Sequence, residues 1–202
     1  MELVHKDTEK IILEAARKVF IQNGYEGTST QHIADEAGIN KALLHYYFRN
    51  KDRLFEAVFM EAFTKMIPNL FVILQTEMDF FEKIELFVDS YISALQQFPQ
   101  IPLFILHELK RNPDRVVEMI SSTGINPALF IALIEKEIRN GTIREIDPLH
   151  FLVNMLAMCI FPFAAKPMIQ GFILKNDAQE YDRFIKARKK EVTSFIINAI
   201  KK

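Results

Sequence analysis

Apolar residues recur at helical spacing along most of this chain, and this period constrains the fold more than any other feature. In the first such segment they fall on one face, at Ile11, Ile12, Ala15, Ala16, Val19 and Phe20. A repeat of three to four residues is that of an amphipathic α-helix. We find no convincing alternating strand pattern, and no Asn-Gly or Asp-Gly pair joins two strand-like runs. The sequence therefore predicts an all-α protein.

Glycine and capping residues set the bounds of the N-terminal helices. Thr28 and Gln31 have capping-box spacing at the start of the second helix, and Asn40 and Asn50 are expected N-caps of the third and fourth. Pro68 should kink or interrupt the fourth helix. The first three helices are predicted at residues 8–23, 28–37 and 41–48, and the fourth from residue 51 to at least 67.

The composition changes after residue 70, where the chain becomes rich in Phe, Ile, Leu and Met. Further helices are predicted near residues 82–98, 102–111, 113–121, 127–140, 148–172 and 177–201. Pro162 and Pro167 should bend the penultimate one. We expect two domains, residues 1–50 and 51–202, with the fourth helix linking them.

Bulk properties indicate a cytoplasmic globular protein. The 202 residues are 50% hydrophobic, yet no apolar run reaches the ~18 residues of a membrane span. The N-terminus lacks the pattern of a secretory signal. Cys159 is the only cysteine, so no internal disulfide forms, and its apolar neighbours indicate a buried, inert thiol. No cofactor or metal site is expected.

The net charge of −1 is a warning against nucleic-acid binding, which needs clustered cations. Residues 1–55 hold eight basic and eight acidic side chains. Between residues 39 and 53, however, Lys41, Arg49, Lys51 and Arg53 face Asp52 alone. The charge distribution therefore predicts only a small basic site, so the evidence for nucleic-acid binding must come from the geometry of the helices.

The segment from residue 30 to 49 has the pattern of a helix-turn-helix. Gly38 stands where the chain must turn sharply, and Ile39 is expected to fill the turn. The core-facing residues are predicted to be Ile33, Ala34, Ala37, either Leu43 or Leu44, and Tyr47. Short helix pairs around a glycine also occur in ordinary cores, so the pair alone leaves core packing open as the alternative.

The flanking sequence resembles the TetR family of transcriptional regulators. The resemblance spans residues 12–55, under a quarter of the chain, and rests on Ala15, Ala16, Phe20, Gly24, Tyr25, Thr28, Ser29, Ile33, Ala34, Ala37, Gly38, Lys41, Leu44, Tyr47, Phe48, Lys51 and Leu54. The family commonly has Tyr where this chain has His45. The resemblance implies an N-terminal three-helix DNA-binding head with a helix-turn-helix, joined to a larger helical ligand-binding and dimerisation domain.

The resemblance also implies that the third helix enters the major groove of double-stranded DNA. We expect phosphate contacts at the start of the second helix, from Thr28, Thr30 and Gln31, with Thr28 also capping. Lys51 should bring its charge and the start of the fourth helix to one phosphate. In the third helix, Lys41 is the strongest choice for a phosphate or guanine contact, and the groove should be faced by Asn40, Ala42, His45 and Tyr46. His45 is more readily a surface histidine than a pH sensor.

For the C-terminal part, the resemblance implies a homodimer through the last two helices and an inducer cavity. The sequence does not separate interface from core among the apolar residues of those helices. The inducer is expected to be a hydrophobic or aromatic small molecule, contacted by Phe104, His107, Phe130, Met155, Met158 and Phe161. Its binding would shift the fourth helix, which would yield at Pro68, and so release the operator.

Three alternative functions stay open. A ligand-responsive activator would use the same two domains. An enzyme is disfavoured because no metalloprotease, phosphate-loop or serine-elbow motif occurs. A helical adaptor without DNA binding would not explain the Gly38 turn followed by Lys41, Tyr46 and Lys51. We therefore expect a non-enzymatic DNA-binding regulator, most simply a repressor of a palindromic operator.

Overall fold

The computed structural model describes the backbone of residues 2–202, and the side chains there except those of residues 2–6, 61, 62, 64–69, 71, 107, 111, 115 and 119. Over this range the protein is all-α, as expected. Ten α-helices are described: α1 (Glu2–Asn23), α2 (Thr30–Glu36), α3 (Lys41–Phe48), α4 (Lys51–Gln75), α5 (Phe80–Gln97), α6 (Ile101–Arg111), α7 (Pro113–Ser122), α8 (Pro127–Arg139), α9 (Pro148–Ala164) and α10 (Ala178–Ile200).

The chain divides into two compact units, residues 1–65 and 66–202. The division falls inside α4, 15 residues beyond the predicted boundary at residue 50. Unit 1 has a core formed by α1, α2, α3 and the first part of α4: Ile12, Ala15, Ala16, Val19, Phe20, Ile33, Ala34, Leu44, Phe48, Leu54 and Val58. Ile11, predicted on the same face, is about half exposed and lies at the edge of the buried stripe.

The capping box predicted at Thr28 is wrong. Ser29 is the N-cap of α2, and its hydroxyl accepts from the backbone N–H of His32 at 3.2 Å. Thr28 is buried, and its hydroxyl donates to the carbonyl of Gly24 at 2.6 Å. The predicted caps of α3 and α4 are confirmed, because the side-chain oxygens of Asn40 and Asn50 each accept a backbone N–H at 2.8 Å.

Unit 2 is organised around α5, which packs against α9 and α10. The spacing of its buried residues, among them Ile84, Val88 and Leu95, gives α5 one apolar face. The end of α10 is fixed to the chain before α9 by an antiparallel bridge between Ile143 and Lys201. Cys159 is buried, as predicted, and burial raises the pKa of its thiol to about 12.

The prolines follow the predictions only in part. Helix α4 continues to Gln75, so no interruption falls at Pro68, whose side chain lies outside the described ones. Pro162 is accommodated within α9. The bend predicted at Pro167 is confirmed, because the chain bends by 63° between α9 and a π-helical segment, Pro167–Ile173. A helix that contains a proline lacks one backbone hydrogen bond, because proline has no N–H. Whether the helix bends or ends there depends on how neighbouring groups satisfy the freed carbonyl.

Among the described residues no single helix is long and apolar enough to cross a membrane. Two bent helix pairs, one from α7 and α8 and one from α9 and the π-helical segment, reach that length and composition only when taken together.

Candidate nucleic-acid interface

The turn between α2 and α3 is closed by backbone hydrogen bonds around Gly38. Its φ of +66° lies in the left-handed region that glycine adopts without strain. Gly38 N–H donates to the carbonyl of Asp35 at 3.2 Å, and Ile39 N–H donates to that of Ala34 at 3.0 Å. This pair of bonds is the Schellman motif, which stops a helix and satisfies its last carbonyls. It fixes the point from which α3 departs.

Helix α3 has one buried side and one exposed side. Leu44 and Phe48 are buried in the unit 1 core, and Tyr47 packs partly against it. The sequence left Leu43 or Leu44 open as the core residue, and the structure selects Leu44, since Leu43 is exposed.

The exposed side carries Ala42, His45 and Tyr46, at the i, i+3 and i+4 positions of one helical stripe, and the exposed Arg49 follows the end of the helix. Tyr46 exposes 69% of its surface although it is aromatic. With its side chains an α-helix is about 10–12 Å in diameter, which fits the roughly 12 Å width of the major groove. The stripe presents the variety of side chains that base-edge contacts require.

The start of α3 provides a cation beside this stripe. Lys41 is its first residue and is exposed, and no acidic side chain among the described residues pairs with it. Asn40 is also exposed, but its side-chain oxygen is engaged as the N-cap. Thr30 and Gln31 lie at the start of α2, where the amide of Gln31 donates to Asp35 at 2.7 Å. The structure thus brings Lys41, Ala42, His45 and Tyr46 together on α3.

Thr28 and Lys51, two of the predicted DNA-binding residues, make their contacts within the protein. The side chain of Thr28 is only 3% exposed, so it offers almost no surface to an outside partner. The ammonium of Lys51 donates to two backbone carbonyls, that of Tyr25 at 3.0 Å and that of Thr28 at 3.1 Å. It also lies 4.2 Å from the centroid of the Tyr25 ring. Both residues are engaged inside unit 1.

Arg49 is a candidate that the sequence argument did not select. It follows α3 directly, is exposed, and has a φ of +56°. Asn50 N–H donates to the carbonyl of Phe48 at 2.5 Å, so Arg49 occupies the centre of a three-residue turn. A non-glycine residue in this conformation is strained, and such strain often marks a functional position. The only sequence signal was its membership of the local basic cluster.

In unit 2 the predicted ligand residues do not share one environment. Phe104, Phe130 and Met155 are buried on α6, α8 and α9, and the ring of Phe130 stacks on Phe151 with centroids 6.0 Å apart. Met158 is half-buried, and Phe161 is 55% exposed on α9. His107 has a side chain outside the described ones.

An open depression of about 800 Å³ lies elsewhere in unit 2. Its wall contains none of the predicted ligand residues whose side chains the structure describes; it is formed by Leu74, Gln75, Thr76, Glu77, Met78, Asp79, Lys83, Leu129, Ala132, Leu133, Lys136 and Glu137. The ammonium of Lys83, which is largely buried there, donates to the carbonyl of Leu74 at 3.3 Å. No group of three or more potential metal ligands was found among the described residues.

The last two helices expose large apolar side chains. Leu149, Val153 and Phe161 on α9 and Phe195 on α10 each expose more than half of their surface. Their neighbours Phe151, Met155, Cys159, Ile196 and Ile200 are buried in unit 2. The structure thereby separates core residues from outward-facing ones, a distinction that the sequence left open.

Comparison with known proteins agrees with this architecture. A family model described as bacterial regulatory proteins of the tetR family matches residues 12–58. The HTH-type transcriptional regulator RutR of Escherichia coli K12 is 31% identical over 155 residues, which are 74% of this chain and 70% of RutR. YhgD of Bacillus subtilis, an uncharacterized HTH-type transcriptional regulator, is 27% identical over 147 residues, 70% of this chain and 75% of YhgD.

A solved structure extends the likeness to the whole chain. The crystal structure of a TetR-family transcriptional regulator from Mesorhizobium loti superposes with a TM-score of 0.64 and covers 98% of each chain. Its sequence is 19% identical, so it supports the fold.

Proposed function

Because this chain belongs to the TetR family and is a DNA-binding transcriptional regulator, we propose that it is a repressor that binds a palindromic operator as a homodimer. In this proposal α3 of each protomer lies in the major groove, and a small apolar ligand releases the complex. The protein acts in the cytoplasm and catalyses no reaction. The activator is the second candidate, since it needs the same DNA contacts.

The observation that supports operator binding most strongly is the exposed stripe of α3. Ala42, His45 and Tyr46 are solvent-facing in a helix whose opposite side is buried, and Lys41 adds a cation at its start. Phosphate contacts position a protein on DNA, whereas base-edge contacts specify the sequence. We assign the first role to Lys41, Thr30, Gln31 and Arg49, and the second to Ala42, His45 and Tyr46 with Asn40.

The exposed apolar residues of α9 and α10 support the dimer. Helices α9 and α10 also pack against one another. Apolar side chains exposed to this extent are candidates for burial in an interface. A two-fold dimer presents two copies of α3, and its operator should repeat about one helical turn apart.

Support for an apolar ligand comes from the buried residues Phe104, Phe130 and Met155. Methionine side chains adapt to irregular partners, and aromatic rings provide large apolar contacts. The ligand would open space between α6, α8 and α9. The depression beside Lys83 is an alternative location, in which a ligand would meet a mixture of apolar and charged side chains.

Selection from a pool of random duplexes tests operator binding. We expect the protein to enrich a palindrome, with an affinity that falls steeply as salt is raised. Enrichment of no sequence would contradict the proposal. Placing the enriched site at a reporter promoter, with and without the protein, then distinguishes repression from activation.

A thermal-shift screen of small apolar compounds tests the ligand. A true ligand should raise the melting temperature and lower the affinity for the enriched duplex. If it binds among the core residues, Met155→Leu should change its affinity, whereas Lys83→Met should not. The reverse result would place the ligand in the depression, and the absence of any compound that weakens DNA binding would contradict the ligand response.

A further inference from the structure

Lys51 opens α4, yet its ammonium points back to the loop between α1 and α2. The carbonyls of Tyr25 and Thr28 accept from it at 3.0 and 3.1 Å, across sequence separations of 26 and 23 residues. An ammonium has three N–H donors and no acceptor. Two of the three are used by these carbonyls, and the cation also lies over the Tyr25 ring.

Neighbouring contacts join the same loop to the same helix. The hydroxyl of Tyr25 donates to the carboxylate of Asp52, the second residue of α4. The Tyr25 ring meets that of Phe55 edge to face, with centroids 4.9 Å apart. We name Tyr25, Thr28, Lys51, Asp52 and Phe55 the loop clamp. All five lie in unit 1, and only Lys51 contributes a cation that donates to backbone carbonyls.

The loop clamp connects the two segments that flank the helix-turn-helix. Its loop side ends at Thr28, directly before Ser29, the N-cap of α2, and its helix side begins at Lys51, three positions after the last residue of α3. Fixing these two ends fixes the segment between them, which contains Thr30, Gln31 and the stripe of α3. Hydrogen bonds that involve a charged group are about twice as strong as neutral ones, and Lys51 makes two of the three such bonds in the clamp, the third being that of Tyr25 to Asp52.

We propose that Lys51 is a positioning residue, which fixes the helix-turn-helix for DNA through the carbonyls of Tyr25 and Thr28, and that it does not neutralise a phosphate. This role rests on the proposed operator binding. It reverses the expectation from the sequence, in which the charge at the start of α4 acts directly on DNA.

The salt dependence of binding separates the two roles. Each phosphate neutralised by a cation adds about 0.9 to the slope of log affinity against log salt. The probe is a duplex enriched by the wild-type protein from a random pool. Lys51→Met removes the charge and keeps the length of the side chain. Lys41→Met is the matched control, since Lys41 is exposed at the start of α3.

For Lys51→Met we expect a loss of roughly tenfold in affinity at every salt concentration, equal to ~1.4 kcal/mol, with the slope unchanged. For Lys41→Met the slope should fall by about 0.9 for each lost contact. Lys51→Gln keeps a donor for the carbonyls without the charge, so it should recover part of the affinity with the wild-type slope. Binding is measured well below each variant's unfolding temperature.

Two results would overturn the positioning role. One is a slope that falls in Lys51→Met as it does in Lys41→Met, which means a phosphate contact. The other is wild-type affinity in Lys51→Met with only a lowered melting temperature, which means a purely structural contact. If Lys51→Met does not fold, the slope and affinity of Lys51→Gln decide between the same outcomes. A wild-type protein that enriches no duplex would refute operator binding itself, and this role with it.

Discussion

Tyr46 and Tyr47 are adjacent and chemically identical, yet they should respond oppositely to truncation. Tyr46 exposes 69% of its surface, whereas Tyr47 packs partly against the unit 1 core. Tyr46→Ala should therefore weaken operator binding and leave the fold intact. Tyr47→Ala should mainly reduce stability, which makes it the matched control.

The structure sets the size of both effects. The rings of Tyr46 and Tyr47 meet edge to face at 5.5 Å, a contact that contributes about 0.5–1.5 kcal/mol and is lost in either variant. Tyr47→Ala also removes partial burial, and we expect a loss of roughly 2–3 kcal/mol in unfolding free energy, below the 3–5 of a fully buried ring. Removing the Tyr46 hydroxyl from a base-edge contact would leave its buried partner unpaired, at a cost of ~1–3 kcal/mol, or roughly 5- to 150-fold in affinity.

Urea unfolding and binding to the enriched duplex measure the two quantities on the same preparations. The expected pattern is a large affinity loss with a small stability loss for Tyr46→Ala, and the converse for Tyr47→Ala when binding is measured far below its unfolding midpoint. Wild-type affinity in Tyr46→Ala, or a stability loss there as large as in Tyr47→Ala, would refute the assignment of the outer face of α3 to DNA.

Three further results are expected. Gly38→Ala should lower the unfolding free energy by about 1–2 kcal/mol, the backbone strain at its φ of +66°, because an added Cβ meets nothing within 4 Å and adds no clash. Gly24→Ala, at φ +68° and equally open, should lower it by the same amount in urea unfolding, and a clear difference between the two variants would contradict this reasoning. Phe195→Asp should give monomers in light scattering without loss of the fold, since this ring is 66% exposed, and persistent dimers would argue against the α10 interface. Cys159 should resist thiol reagents in the folded protein at pH 8, because burial raises the pKa of its thiol from 9.0 to about 12, and rapid labelling at pH 8 would contradict its burial. Its contribution to the unfolding free energy should be complete below pH 9 and decline as the pH rises towards 12.

Much of unit 1 follows from local sequence. The N-caps Asn40 and Asn50 and the left-handed turn at Gly38 depend on residues next to one another, so the bounds of α3 could be predicted. Most of the outward face of α3 could also be predicted, namely Ala42, His45 and Tyr46, whereas the choice between Leu43 and Leu44 as the core residue required the structure.

Contacts between distant residues could not be predicted in this way. The hydrogen bonds of Lys51 reach residues 23 and 26 positions earlier, and nothing in the local pattern distinguishes a carbonyl partner from a phosphate. Thr28 has suitable capping spacing, but Ser29 takes the cap and the Thr28 hydroxyl turns to Gly24. Likewise, apolar spacing does not separate the exposed Phe161 from the buried Met155 on one helix.

The most direct test of the account is cleavage of DNA from α3 itself. Leu43→Cys introduces an exposed thiol on α3 at a residue with no assigned DNA contact, while Cys159 is buried, so an iron–EDTA reagent should attach at residue 43 alone. On the enriched duplex, the account predicts cleavage from the major groove at two symmetric positions, about 10 base pairs or a multiple of that apart. Cleavage scattered along the duplex, or confined to the minor groove, would contradict the claim that α3 reads the operator.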